Sequence, residues 1–151
     1  MEVKDGARDT SPAVEVGSLV KRYGELVAVD GLSLTIPRGQ VLGLLGPNGS
    51  GKTTTISCIL QLLTYDKGSI RVFGEPMTPT AYGLKRRIGV VPQEVAVFDE
   101  LTVAENVDAF CALYVRDRTE RRSLVAEAIA FVGLEKFVRF KPKKLSGGLL
   151  R

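Results

Sequence analysis

Apolar and polar residues alternate in two stretches near the start of the chain, and a period of two predicts β-strands. The stretches are AVEVGSLVKRY (13–23) and GLSLTI (31–36), and Gly24 and Gly31 mark turns between them. We expect them to form a small antiparallel sheet that follows a charged, turn-rich tail (1–12). SIRVFG (69–74) predicts a further strand.

Two other segments are apolar without alternation, which is typical of strands buried on both faces of a parallel sheet. They are QVLGLLG (40–46), which is closed by Gly-Pro, and IGVV (88–91), which is followed by Pro92 and Gln93. We therefore expect both runs to be buried strands.

Three segments carry apolar residues at helical spacing. The first begins at Lys52, the second follows the capping box Thr102-Val-Ala-Glu105, and the third ends at Gly133. The expected apolar faces consist of Ile56, Ile59, Leu60 and Leu63 in the first helix, Val107, Phe110, Cys111 and Tyr114 in the second, and Leu124, Val125, Ala128, Phe131 and Val132 in the third.

Composition limits the classes of protein that fit the chain. A length of 151 residues, with 44% hydrophobic and 25% charged residues, is typical of one soluble globular domain. The net charge of +4 is too small to indicate nucleic-acid binding by itself. No apolar run reaches the roughly 18 residues of a membrane span. Cys58 and Cys111 lack metal-ligand spacing, so we expect buried thiols without a disulfide or zinc.

The segment GPNGSGKT (46–53) fits the phosphate-loop spacing G-x-x-x-x-G-K-[ST] and lies between a predicted buried strand and a predicted helix. Its glycines let backbone amides point at a triphosphate, while Lys52 is suited to the β- and γ-phosphates and Thr53 to magnesium. The candidate ATP-binding residues here are Gly46, Pro47, Asn48, Gly49, Ser50, Gly51, Lys52, Thr53 and Thr54.

Four motifs in one order resemble the ATP-binding domain of ABC transporters. They are KRYGELVAVDGLSL (21–34), GPNGSGKT (46–53), GVVPQE (89–94) and LSGG (145–148). The resemblance extends from about Val14 to Arg151. It implies an α/β P-loop NTPase fold with a mainly parallel core sheet, an N-terminal antiparallel β-subdomain and a helical subdomain at about 94–145, within a partial domain at 13–151.

The resemblance also implies roles for residues outside the phosphate loop. Tyr23 would stack on adenine, although its pattern alone fits a half-buried strand aromatic equally well. Gln93 would reach magnesium and the attacking water, although a solvated glutamine is the ordinary reading. Ser146, Gly147 and Gly148 would grip the γ-phosphate of ATP held by a second subunit in a head-to-tail dimer. VFDELTVAEN (97–106) resembles the region that touches the transmembrane subunit.

The chain departs from the family pattern in two ways. Leu149 stands where the family usually has glutamine, and an apolar residue there resembles exporters of drugs, polysaccharides and sodium. The apolar strand ending in Asp-Glu and the switch histidine that follow LSGG in the family are not in the sequence, which contains no histidine. We therefore expect an N-terminal fragment that is inactive alone, although the family is an ATPase.

Three functions remain open from the sequence. The leading one is the ATP-binding, energy-coupling subunit of an exporter-like ABC transporter, held by a permease at the cytoplasmic face of the membrane. A soluble ABC-type ATPase acting on ribosomes or DNA is the second, for which the basic residues between Lys136 and Lys144 could be cited, although we expect no nucleic-acid partner. The third is a non-catalytic nucleotide-binding remnant. The expected cofactors are ATP and magnesium.

Overall fold

The computed structural model describes residues 10–93 and 97–150, which fall into two compact units divided between Gly89 and Val90. The first unit contains the sheet and the phosphate loop. The second contains the two longest described helices and none of the described strands. Because α4, the longest described helix, has 14 residues, none of the described helices is long and apolar enough to cross a membrane.

Four antiparallel strands in the order β2-β1-β3-β4 form the sheet of the first unit. They are β1 (Val14–Tyr23), β2 (Leu26–Ile36), β3 (Lys67–Val72) and β4 (Glu75–Pro76). In the register, Val14 of β1 lies opposite Ile36 of β2 and Val72 of β3. The predicted antiparallel sheet and the third predicted strand are therefore confirmed, while the two-residue strand β4 had not been anticipated.

The core of the first unit lies between this sheet and helix α1 (Lys52–Ile59). The strands contribute Val16 and Leu19 of β1, Val29 of β2, and Ile70 and Val72 of β3, and Cys58 of α1 is fully buried against them. Val16 and Leu19 are three residues apart because the register of β1 shifts between them, so the strict alternation predicted for β1 is interrupted there. Burial raises the pKa of the Cys58 thiol, so it stays protonated. The core is completed by the buried residues Met77 and Leu84.

The two apolar runs predicted as buried strands are not strands in the structure. Residues 40–47 have no regular secondary structure, and neither do residues 88–92. Val41, Leu45 and Val91 are among the most exposed apolar side chains. A strand needs a partner for its backbone hydrogen bonds, and no described strand pairs with either run. The predicted parallel pairing is therefore absent from the described residues.

The second unit is built on helices α3 (Val103–Ala112) and α4 (Arg118–Phe131), which pack against each other. Between α1 and α3 in the chain, the first unit also has the short helix α2 (Tyr82–Lys85). After α4 come two 3₁₀ turns, Glu135–Phe137 and Pro142–Lys144, and then the short helix α5 (Gly147–Leu150). The capping box is confirmed, because Glu105 N donates to Thr102 Oγ1 and Thr102 N donates to Glu105 Oε2.

The predicted apolar faces of the helices are only partly buried. In α1 the buried residues are Thr55 and Cys58, while Ile59 and Leu63 are partly buried and Ile56 is exposed. In α4 only Ile129 is buried. The element that packs against a helix determines which of its apolar side chains are buried. The exposed members of the predicted faces are Ile56, Phe110, Tyr114, Leu124, Ala128, Phe131 and Val132.

Candidate functional site

The phosphate-loop segment makes a tight turn that leads directly into α1. Ser50 N donates to Pro47 O at 3.2 Å, and Gly51 precedes the first helical residue. Gly51 has a φ of 82°, and a Cβ at this position would lie 2.3 Å from the carbonyl oxygen of Ala28. Any other residue would be strained there by both backbone angle and contact. The glycine is thus required by the approach of strand β2.

Lys52 folds back over the loop that precedes it. Its Nζ donates to Gly46 O at 2.8 Å and to Pro47 O at 2.7 Å, and it lies 3.4 Å from Ser50 Oγ. The first turn of α1 contains no acidic residue. The ammonium charge and the positive end of the helix dipole therefore lie at the same place, which favours an anion.

An open cavity of about 430 Å³ lies beside Lys52. One wall comes from β2 and the other from the loop and α1, and the volume falls in the range of small-molecule sites, about 300–1,000 Å³. Its lining residues are Ala28, Val29, Asp30, Leu32, Leu44, Leu45, Gly46, Pro47, Ser50, Lys52 and Thr55. The cavity therefore brings together four of the predicted site residues, namely Gly46, Pro47, Ser50 and Lys52.

The other predicted loop residues lie outside the lining of this cavity. Asn48, Gly49 and Thr53 are exposed, and Thr54 is half-buried. Thr53 is the second residue of α1, and the phosphate-loop motif predicts that its hydroxyl binds magnesium. No cluster of three or more acidic, cysteine or histidine side chains that could hold a metal occurs among the described residues.

Tyr23 is the last residue of β1 and is not among the residues that line the cavity. Its side chain is 47% exposed, and Lys21 Nζ lies 5.1 Å from the centre of its ring. A cation over the face of an aromatic ring is a favourable contact. One face of the ring thus has a neighbour in the described structure, and the half-exposed side chain retains surface on which a base could stack.

Gln93 and the LSGG segment belong to the second unit. Gln93 is exposed. Ser146 immediately precedes the four-residue helix α5, and Leu149 N donates to Ser146 O at 3.0 Å and approaches Ser146 Oγ at 3.4 Å. Gly147 and Gly148 are exposed, with open space where a Cβ would lie. The predicted helix start at Ser146 is therefore present.

Several residues that shape these segments were not predicted from the sequence. Ala28, Asp30 and Thr55 line the cavity, and the buried Asn106 holds the backbone that precedes α3. The motif spacing gives no signal for Ala28 or Asp30, because they come from a strand that is distant in sequence. Thr55 had an indirect signal, since it is one helical turn beyond Gly51.

Comparisons with known proteins agree with the motif order. The family model described as "ABC transporter" matches residues 29–151. The Nod factor export ATP-binding protein I of Paraburkholderia xenovorans is 39% identical over 92% of this chain and 46% of its own length. The linearmycin resistance ATP-binding protein LnrL of Bacillus subtilis is 37% identical over 91% of this chain and 44% of its own. The chain thus spans under half the length of these curated relatives.

Solved structures show the same fold. CbiO1 from Clostridium perfringens, described as part of the ABC transporter complex cbiONQ, matches with a TM-score of 0.82 and 26% identity over 93% of this chain and 58% of its own. The ATP-binding subunit of another ABC transporter matches with a TM-score of 0.72 and 24% identity, over 91% of this chain and 57% of its own. The predicted P-loop NTPase fold class is confirmed by these matches.

Proposed function

This chain belongs to the ABC transporter family, and we propose that it is the ATP-binding, energy-coupling part of a transporter subunit that hydrolyses ATP. The observation that carries the proposal is Lys52, whose ammonium is held over the Gly46 and Pro47 carbonyls beside an open cavity. The cation is already in position before an anion arrives. Little side-chain freedom remains to be lost on binding.

The residues present fit magnesium-ATP. Lys52 would compensate the charge of the β- and γ-phosphates, the amides at the start of α1 would donate to them, and Thr53 would offer its hydroxyl to magnesium. Magnesium held there would supply positive charge that compensates the phosphates. The strand wall of Ala28 and Val29 would fix the ligand against the loop. Tyr23 would supply a stacking surface for the base.

Three of the remaining assigned residues act in this proposal through a second subunit. Ser146, Gly147 and Gly148 would bind the γ-phosphate of ATP held on the partner's phosphate loop, in a head-to-tail dimer. Their exposure in the second unit is compatible with that contact. Gln93 would offer its amide oxygen to magnesium and the attacking water. A neutral amide can do both without adding charge to the site.

Transport in the export direction is the finer part of the proposal. The names of two relatives refer to Nod factor export and to linearmycin resistance, and Leu149 follows LSGG as the apolar residue that resembles exporter subfamilies. A membrane permease would be the partner, which would place this chain at the cytoplasmic face of the membrane. The match to CbiO1, described as part of a transporter complex, supports such a partner.

Ion pairs in the structure weaken the case for nucleic-acid binding by the basic residues between Lys136 and Lys144. Lys141 Nζ lies 3.2 Å from Glu100 Oε2, and Lys143 Nζ lies 3.5 Å from Asp99 Oδ2. Two of its positive charges are therefore neutralised within the same unit. For this reason we favour the transporter subunit over a soluble ATPase acting on ribosomes or DNA.

The test is calorimetric titration of the protein with magnesium-ATP. We expect Lys52→Ala to abolish measurable binding, because the phosphates would lose their principal cation. Lys85→Ala is the matched control, since Lys85 Nζ also donates to a backbone carbonyl, Pro79 O at 2.9 Å, but lies outside the cavity lining. Equal ATP affinity for both variants would refute the assignment of the loop.

A further inference from the structure

The start of α3 is capped by a segment that lies far away in sequence and leads to Ser146. Val103 N donates to Phe140 O at 2.9 Å, and Ala104 N donates to Val138 O at 3.1 Å. With Glu105 N bound to Thr102 Oγ1, the first three amides of the helix all have acceptors. The backbone at 138–140 is therefore fixed to the helix start.

Two acidic residues just before α3 hold the next part of the same segment. Glu100 contacts Lys141 at 3.2 Å and Lys143 at 3.8 Å, while Asp99 contacts Lys143 at 3.5 Å. Lys143 thus bridges both carboxylates. Lys141 immediately precedes the turn at Pro142–Lys144 and Lys143 lies within it, and this turn leads directly to Leu145 and Ser146. The pKa of Glu100 is lowered, chiefly by its hydrogen bond from Lys141.

We propose that Asp99 and Glu100 are positioning residues that hold the Pro142–Lys144 turn, and through it the Ser146–Gly148 helix start, in place. Backbone hydrogen bonds fix positions 138–140, and the ion pairs fix Lys141 and Lys143. Lys143 lies three residues before Ser146. Without the ion pairs, the turn would keep the backbone bonds at 138–140 and the buried Pro142, but its charged side chains would have no fixed partners. The relevance to phosphate binding rests on the proposed function, whereas the positioning itself does not.

Exposed ion pairs are individually weak, so the expected effect is small but measurable. Double-mutant cycles on such pairs correspond to changes of about 1.4- to 5-fold in an equilibrium constant. The amides to follow are Lys144 N, which donates to Lys141 O, Leu145 N, which donates to Pro142 O, and Leu149 N, which donates to Ser146 O. Local opening of this segment exposes all three to exchange.

The experiment is hydrogen exchange of the nucleotide-free protein at low ionic strength. In the double variant Asp99→Asn, Glu100→Gln, we expect these three amides to exchange about two- to fivefold faster, while amides of α4 such as Arg121 N keep their rates. Glu135→Gln is the control, because it removes an exposed carboxylate of the same unit that has no ion pair among the described residues. High salt should accelerate the parent protein to the rate of the double variant.

A charge swap separates electrostatic positioning from a general effect on folding. Exchanging all four charges, with Asp99→Lys, Glu100→Lys, Lys141→Glu and Lys143→Glu, should restore slow exchange, whereas the two acidic-to-lysine changes alone should not. Unchanged rates in the double variant, no protection of these amides in the parent, or no rescue by the swap would overturn the proposal. Because no nucleotide is present, failure of the ATP-binding proposal would leave these outcomes unaffected.

Discussion

Asn106 offers the sharpest test of how the second unit is held together. Its side chain is 5% exposed. Oδ1 accepts from Phe98 N at 2.7 Å, and Nδ2 lies within hydrogen-bond distance of the carbonyls of Phe98, Leu101 and Thr102 at 3.0, 3.2 and 3.0 Å. One side chain thus closes the loop that leads into α3. We expect Asn106→Ala to destabilise this unit strongly.

The size of the effect follows from counting bonds. The amide group of Asn106 has two hydrogens, so it makes two full donor bonds among its three acceptors and one acceptor bond with Phe98 N. At a net value of about 1 kcal/mol for each bond, the loss is about 3 kcal/mol, with a further penalty if Phe98 N stays buried without a partner. Such a value is a large fraction of the stability of a small unit.

Urea denaturation followed by circular dichroism at 222 nm measures this effect, because α3 and α4 dominate the helical signal. Thr119→Ala is the control, since Thr119 is an exposed polar residue in the first turn of α4. We expect it to change the free energy of unfolding by less than about 0.5 kcal/mol. A loss of less than about 1 kcal/mol for Asn106→Ala would refute the view that this residue closes the loop.

Three further predictions concern the nucleotide site and the helix cap. Gly51→Ala should lower stability by about 1–3 kcal/mol because of its positive φ and the Ala28 carbonyl, whereas Gly83→Ala, which has open space, should not; thermal melting compares them. Tyr23→Ala should weaken ATP and GTP binding alike by about 1–3 kcal/mol if its ring stacks on the base, and unchanged affinity in folded protein would assign the ring to the sheet. The pKa of Glu105 is lowered by its bonds from Thr102. Its contribution to the stability of the helix start is therefore present above the unfolded pKa of about 4.3 and is lost as pH falls through the folded pKa. An acid titration of helicity should show this loss, and Glu105→Gln should remove that pH dependence.

The features that were predicted correctly from the sequence depend on local geometry. The capping box needs only Thr102 and Glu105, three residues apart, and the pairing of β1 with β2 needs only a short turn between two segments that are neighbours in the chain. The loop glycines are equally local, because Gly51 must adopt a left-handed angle to start α1 where it does. Each of these signals survives whatever the rest of the chain contacts.

The features that were predicted wrongly depend on neighbours. An apolar run such as 40–46 predicts that the segment is buried, but it does not predict which strand supplies its backbone hydrogen-bond partners. In the described residues β1 pairs with β2 and β3 instead, and the run remains outside the sheet. The helix faces were predicted only in part for the same reason. Ile59 and Leu63 pack against the core as expected, but the most deeply buried apolar residues are Cys58 in α1 and Ile129 in α4, which were not among the predicted faces.

The same distinction separates the two halves of the proposed nucleotide chemistry. Lys52 is oriented by carbonyls five and six residues before it, so the phosphate loop carries nearly all of its own geometry. The Ser146 segment instead depends on partners about forty residues away, because Lys141 is held by Glu100 and the backbone at Phe140 is held by Val103. A change in the loop before α3 can therefore move Ser146 without any change in its own sequence. Binding by the phosphate loop and positioning of Ser146 should accordingly respond to different mutations and to different salt concentrations.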